Sequence, residues 1–387
     1  MLKKIYHIAL RECGWLMKNP MYLFCMVIFP IVVIFFFTSI LNEGQPTEMP
    51  VGVVDEDNTA TSREMIRNLD AFQTSHVVAH YPNMNEARDA IQRNEIYAFL
   101  LIPKGTTDKL VSSEQPKISF YYSSVALLAG STLFRDLKTI STLGSAGAGA
   151  AKLSALGKTP DEIKTFLQPI AVDLHMVGNP WANYNIYLST AMVPGVLMLF
   201  VFLITPYSIG TELKFKRSKE WLDMAGGNIH VAILGKILPQ FLTFLCIFYG
   251  YEFYIYYVLN FPHPGGVIPI LLLGLLSVTA CEGFGVFIFG LMPSLRMAMS
   301  VCSLWGVLSF STSGATYPVF SMNPMIEAMA QLFPLRHYYM VYQIGIFNGY
   351  SLYNCAINIG ALVIFTLLPV LSINHIKTAM LKYTYIP

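Results

Sequence analysis

Charge is what this sequence lacks most. Asp, Glu, Lys and Arg supply 12% of its 387 residues, against about 25% in soluble domains, which excludes an ordinary water-soluble globular chain. The six cysteines (Cys13, Cys25, Cys246, Cys281, Cys302 and Cys355) lie in or beside apolar runs, and none falls in 42–182. They build neither a disulfide framework nor a metal-ligand spacing. They read as small apolar fillers, and no metal site is expected. A phosphate-binding loop is missing too. Gly157-Lys158-Thr159 has Lys152 where the motif needs Gly, and Gly235-Lys236-Ile237 lacks the hydroxyl that would hold magnesium. ATP hydrolysis is therefore expected on another chain, with no cofactor on this one. Nothing assembles into a hydrolase triad, so no catalytic residue is named. A net charge of +2 gives no reason to expect nucleic acid.

What is abundant is apolar. Hydrophobic residues make up 54% and aromatic residues 13%, the composition of a polytopic membrane protein. Residues 1–20 read as an amphipathic helix on the membrane surface, with Lys3, His7, Arg11 and Lys18 along one stripe and Leu2, Ile5, Ala9, Cys13 and Leu16 along another. Residues 21–41 are the first span, in which 22–41 carry no charge; that is enough for about 30 Å of hydrocarbon. The run is too long for a cleaved signal peptide. Further spans read at 183–208, 230–259, 267–291, 297–316 and 353–373, which makes six, and 374–387 is a tail.

Residues 42–182 differ in kind and hold 16 of the 23 acidic residues. Strands read near 51–55, 76–81, 96–102 and 117–122, with helices at 60–70 and 84–94. This is the alternation of a small α/β domain, large enough for its own core. Residues 125–156 read as a helix whose Gly144–Ala151 stretch serves either close packing or a hinge. Residues 317–352 are too broken by proline to span and too apolar to be a free loop.

Orientation follows from the cations. Residues 1–21 hold four, 209–236 hold five and the tail two, while the turn at 260–266 has none. Short loops rich in Lys and Arg stay inside, so both termini are expected in the cytoplasm and 42–182 outside. Two carboxylates fall inside spans, Glu252 and Glu282. A carboxylate at depth is a functional hypothesis by default. Glu282, Ser303, Ser309 and Thr312 either line a transport path or hold helices together; Glu252 reads as structural, near the outer interface.

The densest charge is at 209–236, where Lys214, Lys216, Arg217 and Lys219 precede Glu220-Trp221-Leu222 and a stop at Gly226-Gly227. This stretch is either a solvated loop or a docking element. It resembles the loop after the second span of type-2 ABC transporter permeases, which carry E-x-x-x-x-G-T-L-E-x-L-x-x-T-P and then L-G-K. Glu220, Leu222 and Gly235-Lys236 fall in register, with Glu212 upstream; Arg217 stands where the family has Gly, and Ala225-Gly226 where it has Thr-Pro. A second likeness is Ser313-Gly314 to Pro318, then Met322-Asn323-Pro324 and Pro334-Leu335-Arg336-His337-Tyr338, a region that in the family dips into the membrane from outside.

The resemblance implies an α-helical polytopic permease of the bacterial inner membrane, with six transmembrane helices and an inserted extracytoplasmic α/β domain. It implies export of a drug, lipid or other amphipathic compound. Glu212, Arg217, Glu220, Trp221 and Leu222 would couple it to a cytosolic ABC ATPase that binds ATP and Mg. It also implies a second permease subunit, as a homo- or heterodimer in membrane lipid, and a periplasmic membrane-fusion adaptor with an outer-membrane channel. Two other readings compete: an ATP-independent secondary transporter, which internal repeats would favour, and a membrane sensor that uses its external domain.

Overall fold

The computed structural model describes residues 1–112, 114–170, 173, 175, 178–179 and 182–385. Much of 171–181, the end of the expected outer domain, lies outside them. The chain divides into two compact units, Glu43–Met176 and Met1–Asn42 with Val177–Pro387.

The second unit is helical. Helix α1 (Leu2–Lys18) ends at Asn19, whose side chain accepts from the Met21 amide at 3.0 Å and so starts α2 (Pro20–Ile40) with proline at its first position. Within α2 the turn Phe24–Ile28 is a π-helix just ahead of Pro30. Proline has no N–H for the preceding turn, and a wider turn absorbs that mismatch.

The first unit follows in sequence. Strand β1 (Met49–Asp55) leads to α3 (Ala60–Asp70), β2 (Ser75–His80), α4 (Met84–Gln92), β3 (Ala98–Ile102), α5 (Thr106–Val111), β4 (Ser119–Tyr122), α6 (Leu127–Ala155) and α7 (Pro160–Leu167). The sheet order is β2-β1-β3-β4, parallel except for the β3–β4 pair. Side chains alternate across it. Val51, Val53, Ala98, Leu100 and Ile102 pack with Ile66, Leu69, Leu133 and Leu137 of α3 and α6. Val54 and Phe99 pack on the other face with Ala87 and Ala90 of α4. Asp57, just after β1, accepts from the Thr107 hydroxyl (2.5 Å) and from the Gly105 and Thr107 amides, and so joins the carboxyl ends of β1 and β3. The Thr107 hydroxyl leads the contacts that hold the Asp57 carboxyl below the usual carboxylate range. Gly144–Ala151 lies inside the continuous helix α6.

The helical unit resumes with α8 (Tyr184–Lys214), α9 (Ser218–Met224), α10 (Ile229–Val258), α11 (Val267–Leu291), α12 (Leu295–Thr312), α13 (Pro324–Ala330), α14 (Pro334–Val341) and α15 (Leu352–Lys382). Among the described residues five helices are long and apolar enough to cross a membrane: α2, α8, α10, α11 and α15. The expected fifth span forms α12 but falls outside that set, because Arg296 and its serines and threonines lower its hydropathy. Helix α8 is central, packed on α2, α10, α11 and α12. Its 31 residues extend about 46 Å, more than the hydrocarbon needs, so its last turns stand clear of that layer. Helices α2 and α15 are peripheral and keep Val32, Phe35, Phe36, Val370 and Leu371 exposed, as lipid-facing helices should.

Candidate functional site

The site forms where α1, α8, α9 and α10 meet. Its centre is Lys236 on α10, whose Nζ donates to Glu12 Oε2 and Glu212 Oε1, both at 2.7 Å. Arg11 bonds Glu212 Oε2 through Nη2 at 3.0 Å and Glu12 Oε1 through Nη1 at 3.3 Å. Its Nε lies 4.0 Å from Glu220, and Arg217 Nε lies 4.0 Å from Glu212. Lys236 and Glu212 are each 1% exposed at the side chain. A charge buried that deeply survives only when paired and hydrogen-bonded. Two carboxylates between Lys236 and Arg11 give that balance.

The Gly235-Lys236 pair explains itself at this point. A methyl group on Gly235 would lie 2.8 Å from Ile8 Cβ of α1. The missing side chain lets α1 lie close on α10, and that closeness brings Glu12 within reach of Lys236.

Helix α9 is short and two-faced. Trp221 (0% exposed), Leu222, Ser218 and Ala225 point inward, whereas Lys219, Glu220 and Asp223 are exposed. Gly226 and Gly227 end it at φ +70° and +75°, with the Gly227 amide donating to Leu222 O. Lys236 Nζ sits 5.5 Å over the Trp221 ring, and the Arg217 guanidinium stacks on Trp15 at 3.9 Å.

The five expected coupling residues divide between buried and exposed positions. Trp221 and Leu222 do not wait for a cleft on another protein, since they already fill one in this chain. Glu212 is fully buried, so it acts behind the surface, and Arg217 is mostly turned inward against Trp15. Of the five residues expected to couple, Glu220 alone presents its side chain freely, with 66% exposed. Helix α1 is likewise not a simple surface helix. Ile8, Ala9 and Glu12 face inward, and Arg11 leaves the expected basic stripe for the ion cluster. The sequence reading missed Glu12. Its signal was available: it is the sole acid in residues 1–42, one helical turn from Ile8.

The remaining candidates lie apart. Glu282 is buried within its own helical unit, with Oε1 lacking a hydrogen-bond partner. Glu252 is equally buried, with Oε2 in the same state. Ser309 and Thr312 are buried and donate to Gly306 O and Leu308 O of their own helix. That is how hydroxyls are satisfied in packed membrane helices. Ser303 is half-buried. Among the described residues no group of three or more His, Cys, Asp and Glu side chains is placed to hold a metal ion.

The sequence model for a family described as ABC-2 family transporter protein matches residues 20–373. The chain belongs to that family. It is 21% identical over 354 residues to the linearmycin resistance permease protein LnrN of Bacillus subtilis (strain 168), covering 87% of this chain and 89% of that protein. As an ABC-2 chain it is a multi-pass membrane permease, and its family implies partnering with an ABC ATPase. The ion cluster then stands at the foot of the permease helices, directly behind the exposed face of α9.

Proposed function

We propose that this chain is the membrane-spanning subunit of an ABC exporter in the bacterial cytoplasmic membrane, and that α9 is the element on which a cytosolic ATPase pushes. The observation that carries this reading is the joint behind α9. Trp221 and Leu222 root the helix, and Lys236, Glu212, Glu12 and Arg11 tie its neighbours α1, α8 and α10 into one buried ionic cluster. A push on Lys219, Glu220 or Asp223 therefore reaches three membrane-proximal helices at once. The cations around α9 favour the cytoplasmic side. Both termini then lie inside, α12 completes six spans, and the sheet-bearing unit lies outside. ATP and Mg belong to the partner.

The substrate we propose is an amphipathic compound, either drug or lipid. The related permease is named for linearmycin resistance, which favours a compound removed from the cell. A second permease chain completes the pathway, as a homo- or heterodimer. In a two-membrane envelope the outer unit would meet an adaptor and an outer-membrane channel. Ser309 and Thr312 serve helix packing in this reading, because their hydroxyls are satisfied within their own helix.

The test is copurification with the ATPase and stimulation of its hydrolysis, comparing wild type with Glu220→Lys and Lys219→Glu. Reversing an exposed docking charge should weaken association roughly tenfold, equivalent to about 1.4 kcal/mol, without lowering the melting temperature. Wild-type association in both variants would remove α9 as the docking element.

A further inference from the structure

We propose that the cavity beside the ion cluster is a binding site for the phosphate of an anionic phospholipid. The cavity measures about 340 Å³ and opens between α1, the Asn19-Pro20 turn and the end of α8, within the range of small-molecule sites, about 300–1,000 Å³. Its charged lining is Glu12, Lys18, Arg217 and Lys236, with Asn19, Tyr22 and Thr211 as neutral polar neighbours. Lys236 and Glu12 neutralise each other at the floor, which leaves Lys18 and Arg217 as the cations at the mouth.

Three observations point to an anion there. Arg217 Nε is buried and has no hydrogen-bond partner among the described residues; the carboxylate of Glu212 is 4.0 Å away. The guanidinium is fixed in place by stacking on Trp15, so little freedom is lost when it binds a ligand, and guanidinium geometry suits phosphate. Lys18 has no acidic partner among the described residues.

The surroundings choose a lipid over a free phosphate. Trp15 and Phe215, both at the cavity, are 43% and 55% exposed, as aromatic side chains at headgroup depth are. Pro20 lines the cavity, and the next turn of α2 exposes Met21, Leu23 and Phe24. That is a continuous apolar path for acyl chains leading away from the two cations. Lys214 and Lys216 add to the local positive field, which draws anionic lipid to a leaflet. The inference rests on the proposed orientation, with this end of the helices at the cytoplasmic leaflet.

The experiment needs no ATPase, so its outcome is separate from the coupling test. Orientation is read independently by labelling a single cysteine at position 218 in a cysteine-free background. The full chain is reconstituted in vesicles of phosphatidylcholine and phosphatidylglycerol and extracted into detergent, and retained lipid is counted by native mass spectrometry. Wild type should retain phosphatidylglycerol over phosphatidylcholine by roughly tenfold or more. Lys18→Gln, an exposed change that leaves the fold intact, should cut that preference about fivefold, and Arg217→Gln should abolish it. Lys3→Gln, on the same helix but away from the cavity, should leave it unchanged. Three results would overturn the proposal: no preference in wild type, equal losses in Lys3→Gln and Lys18→Gln, or displacement of phosphatidylglycerol by inorganic phosphate alone, which would make it a free-anion site.

Discussion

Lys236 and Gln240 sit one turn apart on α10 and share a face of the helix. Both are almost wholly buried. Lys236 has a carboxylate at 2.7 Å on each side, whereas Gln240 has no partner for either its oxygen or its nitrogen. Glu252 and Glu282, in α10 and α11, each leave one carboxyl oxygen in the same condition as Gln240. The central charges at the foot of the permease are thus paired, although Arg217 Nε beside them is not hydrogen-bonded, whereas these three polar residues deeper in the bundle are isolated. Charge at the joint fixes four segments to one another. An isolated polar group fixes nothing and only costs desolvation.

Lys236→Met should break this contrast most strongly. It leaves the buried Glu12 and Glu212 with Arg11 as the one cation bonded to both, and removing one partner of a buried pair costs about 3–5 kcal/mol. Differential scanning fluorimetry in detergent should show a large fall in melting temperature, and a fall no larger than that of an exposed lysine variant such as Lys219→Met would deny the joint. Trp221→Ala comes next. It empties a fully buried site, at about 3–4 kcal/mol for an aromatic-to-alanine change. The loss should appear as instability of the isolated permease, with no ATPase present. A variant that melts like wild type and fails only in ATPase binding would return Trp221 to the role of an exposed anchor. Gln240→Leu should have the smallest effect and the opposite sign. Removing an unpartnered buried amide should raise stability by about 1 kcal/mol, and a loss comparable to that of Lys236→Met would show that Gln240 has a partner.

Much of this architecture was legible in the sequence, for identifiable reasons. Charge-free runs such as 22–41 are bound to membrane, and residues 49–55 and 98–102 lie close to where their apolar patterns read as strands. Glu212, Arg217, Glu220, Trp221 and Leu222 read as one site, and the structure brings them together. The inward and outward assignments did not come through. A Trp-Leu pair on a short helix looks the same whether its cleft lies in its own chain or in a partner, because the decision belongs to α1 and α10, which are distant in sequence. Glu12 was invisible for the same reason: its partners lie at 212 and 236. Helix α12 shows the reverse limit, since its serines and threonines dilute the hydropathy of a segment that packs closely on α8.

The most direct test is to neutralise the joint without leaving a charge unpaired. The quadruple variant Arg11→Met, Glu12→Gln, Glu212→Gln, Lys236→Met removes the central ion pairs together, a change that buried ionic clusters often tolerate, and it leaves the outer face of α9 intact. The measurement is substrate exported per ATP hydrolysed in vesicles reconstituted with the ATPase. The joint predicts that the quadruple variant binds the ATPase like wild type while export per ATP falls about tenfold, within the usual range of coupling between sites. A folded quadruple variant that exports at the wild-type ratio would contradict it.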